Sequence, residues 1–222
     1  VERPEIAVRV TPAPQSGGRF ITLEGGEGVG KSTQLKALAA MLRERGLDVV
    51  ETREPGGSPG AEAIRALLLT GAADRWSPRA EALLFAAARA DHVEKTIRPA
   101  LTRGAWVLSD RFLDSSRAYQ GMGDLNDADI KALHAIGSAG FLPDRTLVLT
   151  LPSGESAARA RLRDGDDADR IGGRDPAFHT AVADAFARFA RQEPARVRLL
   201  DAEGEAEAVT ARLLAALEDL LP

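Results

Sequence analysis

Residues 20–32 read FITLEGGEGVGKS, an apolar run that breaks into glycines and ends on Gly30-Lys31-Ser32. From Gly25 the text satisfies G-x-x-x-x-G-K-[ST], and its setting is the one that gives this pattern meaning, a strand before it and a helix after it. Gly25, Gly26, Gly28 and Gly30 let the backbone turn tightly and aim successive N–H groups inward, with Glu27 and Val29 between them. The helix opening at Lys31 adds its positive dipole end to that anion nest. Phosphate is the expected occupant. Lys31 would reach the β- and γ-phosphates, and the Ser32 hydroxyl would be one ligand of a magnesium ion whose other ligands are water and phosphate oxygens.

Working outward, short apolar strands alternate with helical stretches, the pattern of a parallel sheet covered by helices. Strands are expected at 20–24, 48–53, 105–110, 146–151 and 197–201. The first helix carries Leu35, Leu38, Ala39 and Leu42 at helical spacing and stops at Gly46. Further helices are expected at 60–69, 78–102, 127–138, 155–163, 176–192 and 205–221. The fold class is therefore α/β: an open parallel sheet of P-loop NTPase type, with five strands, helices on both faces and a lid segment. Ligands of such a sheet sit at the carboxyl ends of the strands. Residues 1–18, with three prolines and a Gln-Ser-Gly-Gly end, have linker chemistry and are expected to form a flexible extension, or alternatively a short edge strand at 6–10; the P-loop domain would be 19–222.

Composition narrows the function. The chain has 222 residues, a formal charge of −4 and a pI near 5.5, which argues against a general grip on a nucleic-acid backbone. It has no cysteine, so thiolate metal sites, disulfides and a Cys nucleophile are excluded. No run approaches the roughly 18–20 apolar residues that span a bilayer, and the expectation is a cytoplasmic protein whose partners are small nucleotides. No Asn-Lys-x-Asp stretch of the kind that reads guanine in switch GTPases occurs. His92, His134 and His179 match no metal spacing and are given no role.

The third strand ends Ser109-Asp110-Arg111, delivering an acid and an arginine to the edge where phosphates should lie. Asp110 occupies the place of the acid that positions magnesium through water, and Arg111 offers a planar fork for phosphate; a simple strand-end salt bridge is the alternative. The text continues Phe112-Leu113-Asp114-Ser115-Ser116-Arg117-Ala118-Tyr119-Gln120-Gly121, and the loop after the second strand reads Thr52-Arg53-Glu54-Pro55-Gly56-Gly57. With Phe85 four residues before Arg89 and an arginine-rich stretch at 159–170, these motifs in this order resemble the thymidylate kinase family from about Arg19 to the C-terminus.

The resemblance implies ATP as donor, thymidine 5′-monophosphate as acceptor and a homodimer, and it implies roles for matching positions. Phe85 and Arg89, one helical turn apart, would stack on and hydrogen-bond the thymine; without the resemblance Phe85 reads as plain core. Arg111 would hold the acceptor phosphate, Ser115 and Ser116 would lie near the pyrimidine edge, Gln120 would belong to the substrate-binding set, Tyr119 would pack beneath the deoxyribose, and Glu27 would accept from the sugar 3′-hydroxyl. No basic residue stands in the phosphate loop before Lys31, so the chain resembles the branch in which arginines of a lid, about 159–174, neutralise the transferring phosphoryl group. Arg159 and Arg163 share a helix face and Arg161 does not; which of them acts stays open. The stretch from Arg163 to Arg170 is about two residues longer than the commonest family form.

Overall fold

In the computed structural model of the chain, residues 17–72, 74–164 and 174–222 are described, and for Ser153, Ala157, Ala160, Arg161, Arg163 and Asp164 the backbone alone. Five parallel strands, β1 (Phe20–Gly25), β2 (Val49–Arg53), β3 (Trp106–Asp110), β4 (Arg145–Thr150) and β5 (Val197–Asp201), form one sheet in the order β2-β3-β1-β4-β5. Each expected strand is found within a residue of its expected ends. The central position of β1 follows from its composition: all six residues are buried, which suits a strand covered on both faces.

The two faces are nonetheless different. Ile21 and Leu23 of β1, Trp106 and Leu108 of β3 and Leu147 and Leu149 of β4 pack against Leu35, Leu38 and Leu42 of α1 (Lys31–Glu44) and Val209 and Leu213 of α9 (Ala206–Ala215). Their neighbours point the opposite way, where Phe20 and Val107 meet an apolar cluster with Phe112, Val93, Ile97 and Leu101. On that same side lie Thr22, Glu24, Ser109 and Thr146, all fully buried. Strand alternation thus puts a polar row beneath the segment that follows β3, and this row organises the site.

The remaining helices are α2 (Pro59–Leu69), α3 (Pro78–His92), α4 (Arg98–Thr102), α5 (Leu113–Tyr119), α6 (Asp127–Ser138), α7 (Ser153–Asp164) and α8 (Pro176–Gln192). Local signals explain where they begin. Ser58, Ser77 and Asp175 cap α2, α3 and α8 by accepting from the backbone N–H three residues on, each with a proline in the first turn, and Asn126 with Asp129 builds a capping box on α6. By contrast α1 starts from Gly30, at φ 91°, with no side-chain cap. Its first N–H groups are left for another acceptor.

Three expectations are corrected. The helix expected over 78–102 is interrupted by a π turn at Val93–Ile97, where the Arg98 N–H reaches back to the Val93 carbonyl. Pro99 is the reason: it has no N–H for the Lys95 carbonyl and its ring would crowd that oxygen, and widening the turn relieves the clash. The helix expected over 205–221 ends at Ala215 and gives way to a 3-10 turn at Glu218–Leu220. Helix α5 was not expected at all, because all seven of its residues are buried although Asp114, Ser115, Ser116 and Arg117 are polar, so its sequence shows no apolar stripe from which to read a period.

Candidate active site

The loop between β1 and α1 wraps an anion-sized hollow. Gly25, at φ 129°, is required there: a Cβ would stand 2.4 Å from the Leu149 carbonyl oxygen of β4. Val29 turns its side chain into the α1-side core rather than into the hollow. Lys31 is almost fully buried, and its Nζ donates to the Gly26 carbonyl at 2.6 Å and the Gly25 carbonyl at 3.2 Å. Burial, followed by the charge of Arg111, lowers its pKa to about 8. Next to it, in the first turn of α1, the Ser32 hydroxyl donates to Asp110 Oδ2 at the end of β3, at 2.5 Å. Two hard oxygen donors so placed fit a magnesium ion that takes its remaining ligands from water and phosphate. Among the described residues no group of three His, Asp or Glu side chains forms a protein-only metal site.

Arg111 is held in an unusual conformation, with φ at 71° in the left-handed region, where a non-glycine residue is strained by roughly 1–2 kcal/mol. Its backbone is fixed on three sides. The Arg111 N–H donates to the Leu23 carbonyl, Ser109 Oγ donates to the Arg111 carbonyl, and the next N–H, of Phe112, donates to Glu24 Oε1 at 2.8 Å. The guanidinium is thereby aimed back over the phosphate loop, donating to the Gly25 carbonyl, Ser115 Oγ and Glu27 and lying over the Tyr119 ring at 5.0 Å.

Glu24 is the buried pivot of this turn, since its second oxygen accepts from Ser115 Oγ. Burial, reinforced by nearby Asp114, raises its pKa from 4.5 to about 8. The native state then keeps a proton that the unfolded chain has lost, so this group's contribution to stability is full below pH 4.5 and falls as pH rises toward 8. Glu24→Gln cannot ionise and still accepts from Phe112 N–H. It is expected to flatten that slope, by roughly 4 kcal/mol across the window, measured as urea unfolding free energies at pH 5 and pH 8; an unchanged slope would show that Glu24 is ionised in the native protein.

Helix α5 presents Ser115, Ser116 and Tyr119 to the cavity while its other side is locked to the sheet. Asp114 and Arg117 are both fully buried. Arg196 grips Asp114 through both carboxylate oxygens, at 2.6 and 3.0 Å, Thr146 donates to the same group, and Arg117 bonds Asp114, Asp127 and Glu193 while lying 3.9 Å over the Phe189 ring. A buried charge cluster is costly unless each member is matched, and here each is.

One cavity of about 450 Å³ is lined by Glu27, Gly28, Gly30, Lys31 and Ser32 on one side and by Phe85, Arg89, Asp110, Arg111, Ser115, Ser116, Tyr119 and Gln120 on the other. Residues from α3, β3 and α5, remote in sequence, therefore share a chamber with the phosphate loop. Phe85 is at once cavity wall and core, packing with Leu68 and Tyr119. Burial raises the pKa of the Tyr119 hydroxyl, and that oxygen has no hydrogen-bond partner among the described residues. Gln120 Nε2 donates to Glu81, which also accepts from Arg174. Arg159 lines the cavity mouth, paired with Glu155 one turn earlier. The Arg161 and Arg163 side chains, and the lid from 165 to 173, lie outside the described residues.

Some lining residues were not anticipated. Arg53, Glu54, Pro55, Arg65 and Leu69 also face the cavity. His92 was given no role, yet it is fully buried against Glu54. Its position three residues after Arg89, hence on the same helix face, was the available signal.

Comparison with known proteins agrees with the geometry. The family model described as thymidylate kinase matches residues 23–213. The chain is similar to a thymidylate kinase of Rhizorhabdus wittichii, 68% identical over 92% of this chain and 99% of the relative, and to one of Caulobacter vibrioides, 53% identical over 88% of this chain and 94% of the relative. Among solved structures, that of thymidylate kinase from Ehrlichia chaffeensis superposes with a TM-score of 0.71 at 30% identity, covering 91% of this chain and 99% of the other.

Proposed function

The chain belongs to the thymidylate kinase family, and we infer that it transfers the γ-phosphoryl group of ATP to thymidine 5′-monophosphate, giving the diphosphate for deoxythymidine triphosphate synthesis. The observation that carries the reading at the level of the site is the single cavity that joins the phosphate loop to Phe85, Arg89, Arg111 and Tyr119.

The backbone of residues 25–32 and Lys31 cradle the donor phosphates. Ser32 and, through water, Asp110 would hold magnesium, which would supply positive charge to offset that of the donor phosphates. Arg111 grips the acceptor phosphate, and Glu27, its ion-pair partner here, turns to the sugar 3′-hydroxyl. Phe85 stacks on the base, Arg89 donates to its edge, and Ser115, Ser116 and Gln120 close that side. The Tyr119 ring fills the space beneath the deoxyribose. A lid arginine neutralises the transferring group, and Arg159 and Arg163, which share a helix face, are the candidates.

No general base is needed, because the attacking atom is already an anionic phosphate oxygen. The protein's contribution is alignment, charge neutralisation and exclusion of water. The half-exposed Leu83 of α3 and the exposed Ile136 of α6, on two helices that pack together, support a homodimer through that face, and the net charge of −4 supports small nucleotides rather than nucleic acid as partners.

The test is an ADP-release assay with ATP and magnesium, offering thymidine, uridine, deoxycytidine, adenosine and guanosine monophosphates in parallel. Selective turnover of thymidine monophosphate is expected; preference for another acceptor would discard the pocket assignment and keep the kinase.

A further inference from the structure

Resting on the reading of Arg89 as the residue that meets the acceptor base, we propose that His92 is a positioning residue for acceptor recognition, acting through Glu54 to fix the direction in which the Arg89 guanidinium faces the cavity.

Three fully or nearly fully buried side chains stand in a row: Arg89, Glu54 and His92. Glu54 Oε2 accepts from Arg89 Nε at 2.8 Å, and Oε1 accepts from His92 Nδ1 at 2.9 Å. A carboxylate offers no hydrogen to donate, so Nδ1 carries the proton. The other ring nitrogen lies 2.7 Å from Thr52 Oγ1 of β2. The ring is further boxed in by Gly57, at φ 84°, where a Cβ would come within 2.4 Å of Nε2, and the Gly57 carbonyl is itself held by Thr96 Oγ1. His92 is therefore an immobile donor built into the junction of β2, α3 and the loop that carries Glu54.

The need for it follows from the way Arg89 is gripped. The arginine uses Nε on Glu54, and Nη2 on the Phe112 carbonyl and on Ser116 Oγ. Its Nη1 has no protein partner among the described residues, and Arg89 lines the cavity. Glu54 thus holds Arg89 at one point only, without the two-point fork that fixes both groups. The last torsion of a glutamate is soft, so a carboxylate held by one bond can swivel and carry the guanidinium with it. The bond from His92 to the second oxygen removes that freedom.

The consequence concerns specificity. Every hydrogen Arg89 has left is a donor, so a base with a carbonyl at the contacted edge is accepted, and one with an amino group there meets donor against donor. Discrimination holds only while the guanidinium stays in place. His92→Leu is expected to raise KM for thymidine monophosphate about 10-fold, leave kcat and KM for ATP within about 3-fold, and narrow the preference over deoxycytidine monophosphate about 10-fold, since small misplacements of a positioned group cost up to about 10²-fold. His92→Asn keeps a donor near Nδ1 and is expected to restore most of the loss. His92→Gln, whose amide reaches toward the Nε2 position, is not.

The experiment is steady-state kinetics of wild type, His92→Leu, His92→Asn and His92→Gln with both acceptors, alongside thermal melts. If His92→Leu does not fold, the contrast between Asn and Gln decides. The proposal is overturned if the folded variants keep the wild-type acceptor KM and preference, if KM for ATP, kcat and acceptor KM shift together in proportion to lost stability, or if Asn and Gln behave alike. A wild type that ignores thymidine monophosphate would overturn the acceptor assignment itself, and that result is read before any variant.

Discussion

Lys31→Ala is expected to lower kcat/KM by at least about 10³-fold, with a melting temperature close to that of the wild type. The magnitude follows from position. A single preorganised donor aimed at developing charge in a water-poor site contributes about 10²–10³-fold, and Lys31 adds a full charge. Its ammonium is buried and, without nucleotide, is satisfied by the Gly25 and Gly26 carbonyls. Those same contacts argue that the loop survives the loss: two carbonyls that have lost a donor can turn to water entering the hollow. Burial also holds its pKa near 8, so the charge sits in a poorly solvating environment, where its attraction for phosphate is little screened. Single-turnover transfer, nucleotide titration and thermal melts check this together. Near-normal turnover would remove the phosphate loop from the mechanism.

Arg111→Ala is expected to cost about 10²–10³-fold in kcat/KM for the acceptor, divided between weaker binding and slower transfer. The guanidinium lies between Glu27 and Asp110, and without it these two carboxylates would face a dianionic phosphate with less opposing charge. Arg111→Lys should recover only part of the loss. A lysine restores the charge but not the planar fork that reaches the Gly25 carbonyl, Ser115 and a phosphate from one group. Calorimetric titration of thymidine monophosphate against each variant, with kcat from initial rates, separates the two contributions; an acceptor affinity equal to the wild type would show that Arg111 only braces Glu27.

The site was legible where its chemistry is written in consecutive residues. Glycines 25, 26, 28 and 30 with Lys31 and Ser32 form one turn of backbone, so spacing alone conveys its geometry. Asp110 and Arg111 were legible because a strand must end where its apolar run ends. Phe85, Arg89 and Tyr119 were identified through family resemblance, since a buried phenylalanine on a helix looks the same whether it meets a base or the core. His92 and Glu54 escaped because a buried histidine carries no signature until the acid beside it is known. Helix α5 escaped for a related reason: with all sides covered, it loses the contrast between faces from which helices are read.

Local physical chemistry therefore accounts for a good deal before any contact between distant residues is considered. The alternation of strands and helices, the caps at Ser58, Ser77, Asn126 and Asp175 and the phosphate-loop geometry depend on neighbours within a few positions, and the sequence by itself determined them. The strand order β2-β3-β1-β4-β5, the left-handed backbone at Arg111 pinned by Glu24, and the Arg89-Glu54-His92 row were decided by tertiary structure. Each of these joins groups tens of residues apart or trades a local preference against packing. Such contacts stabilise only once the sheet has brought the strand ends together and excluded water, which no window of sequence can express.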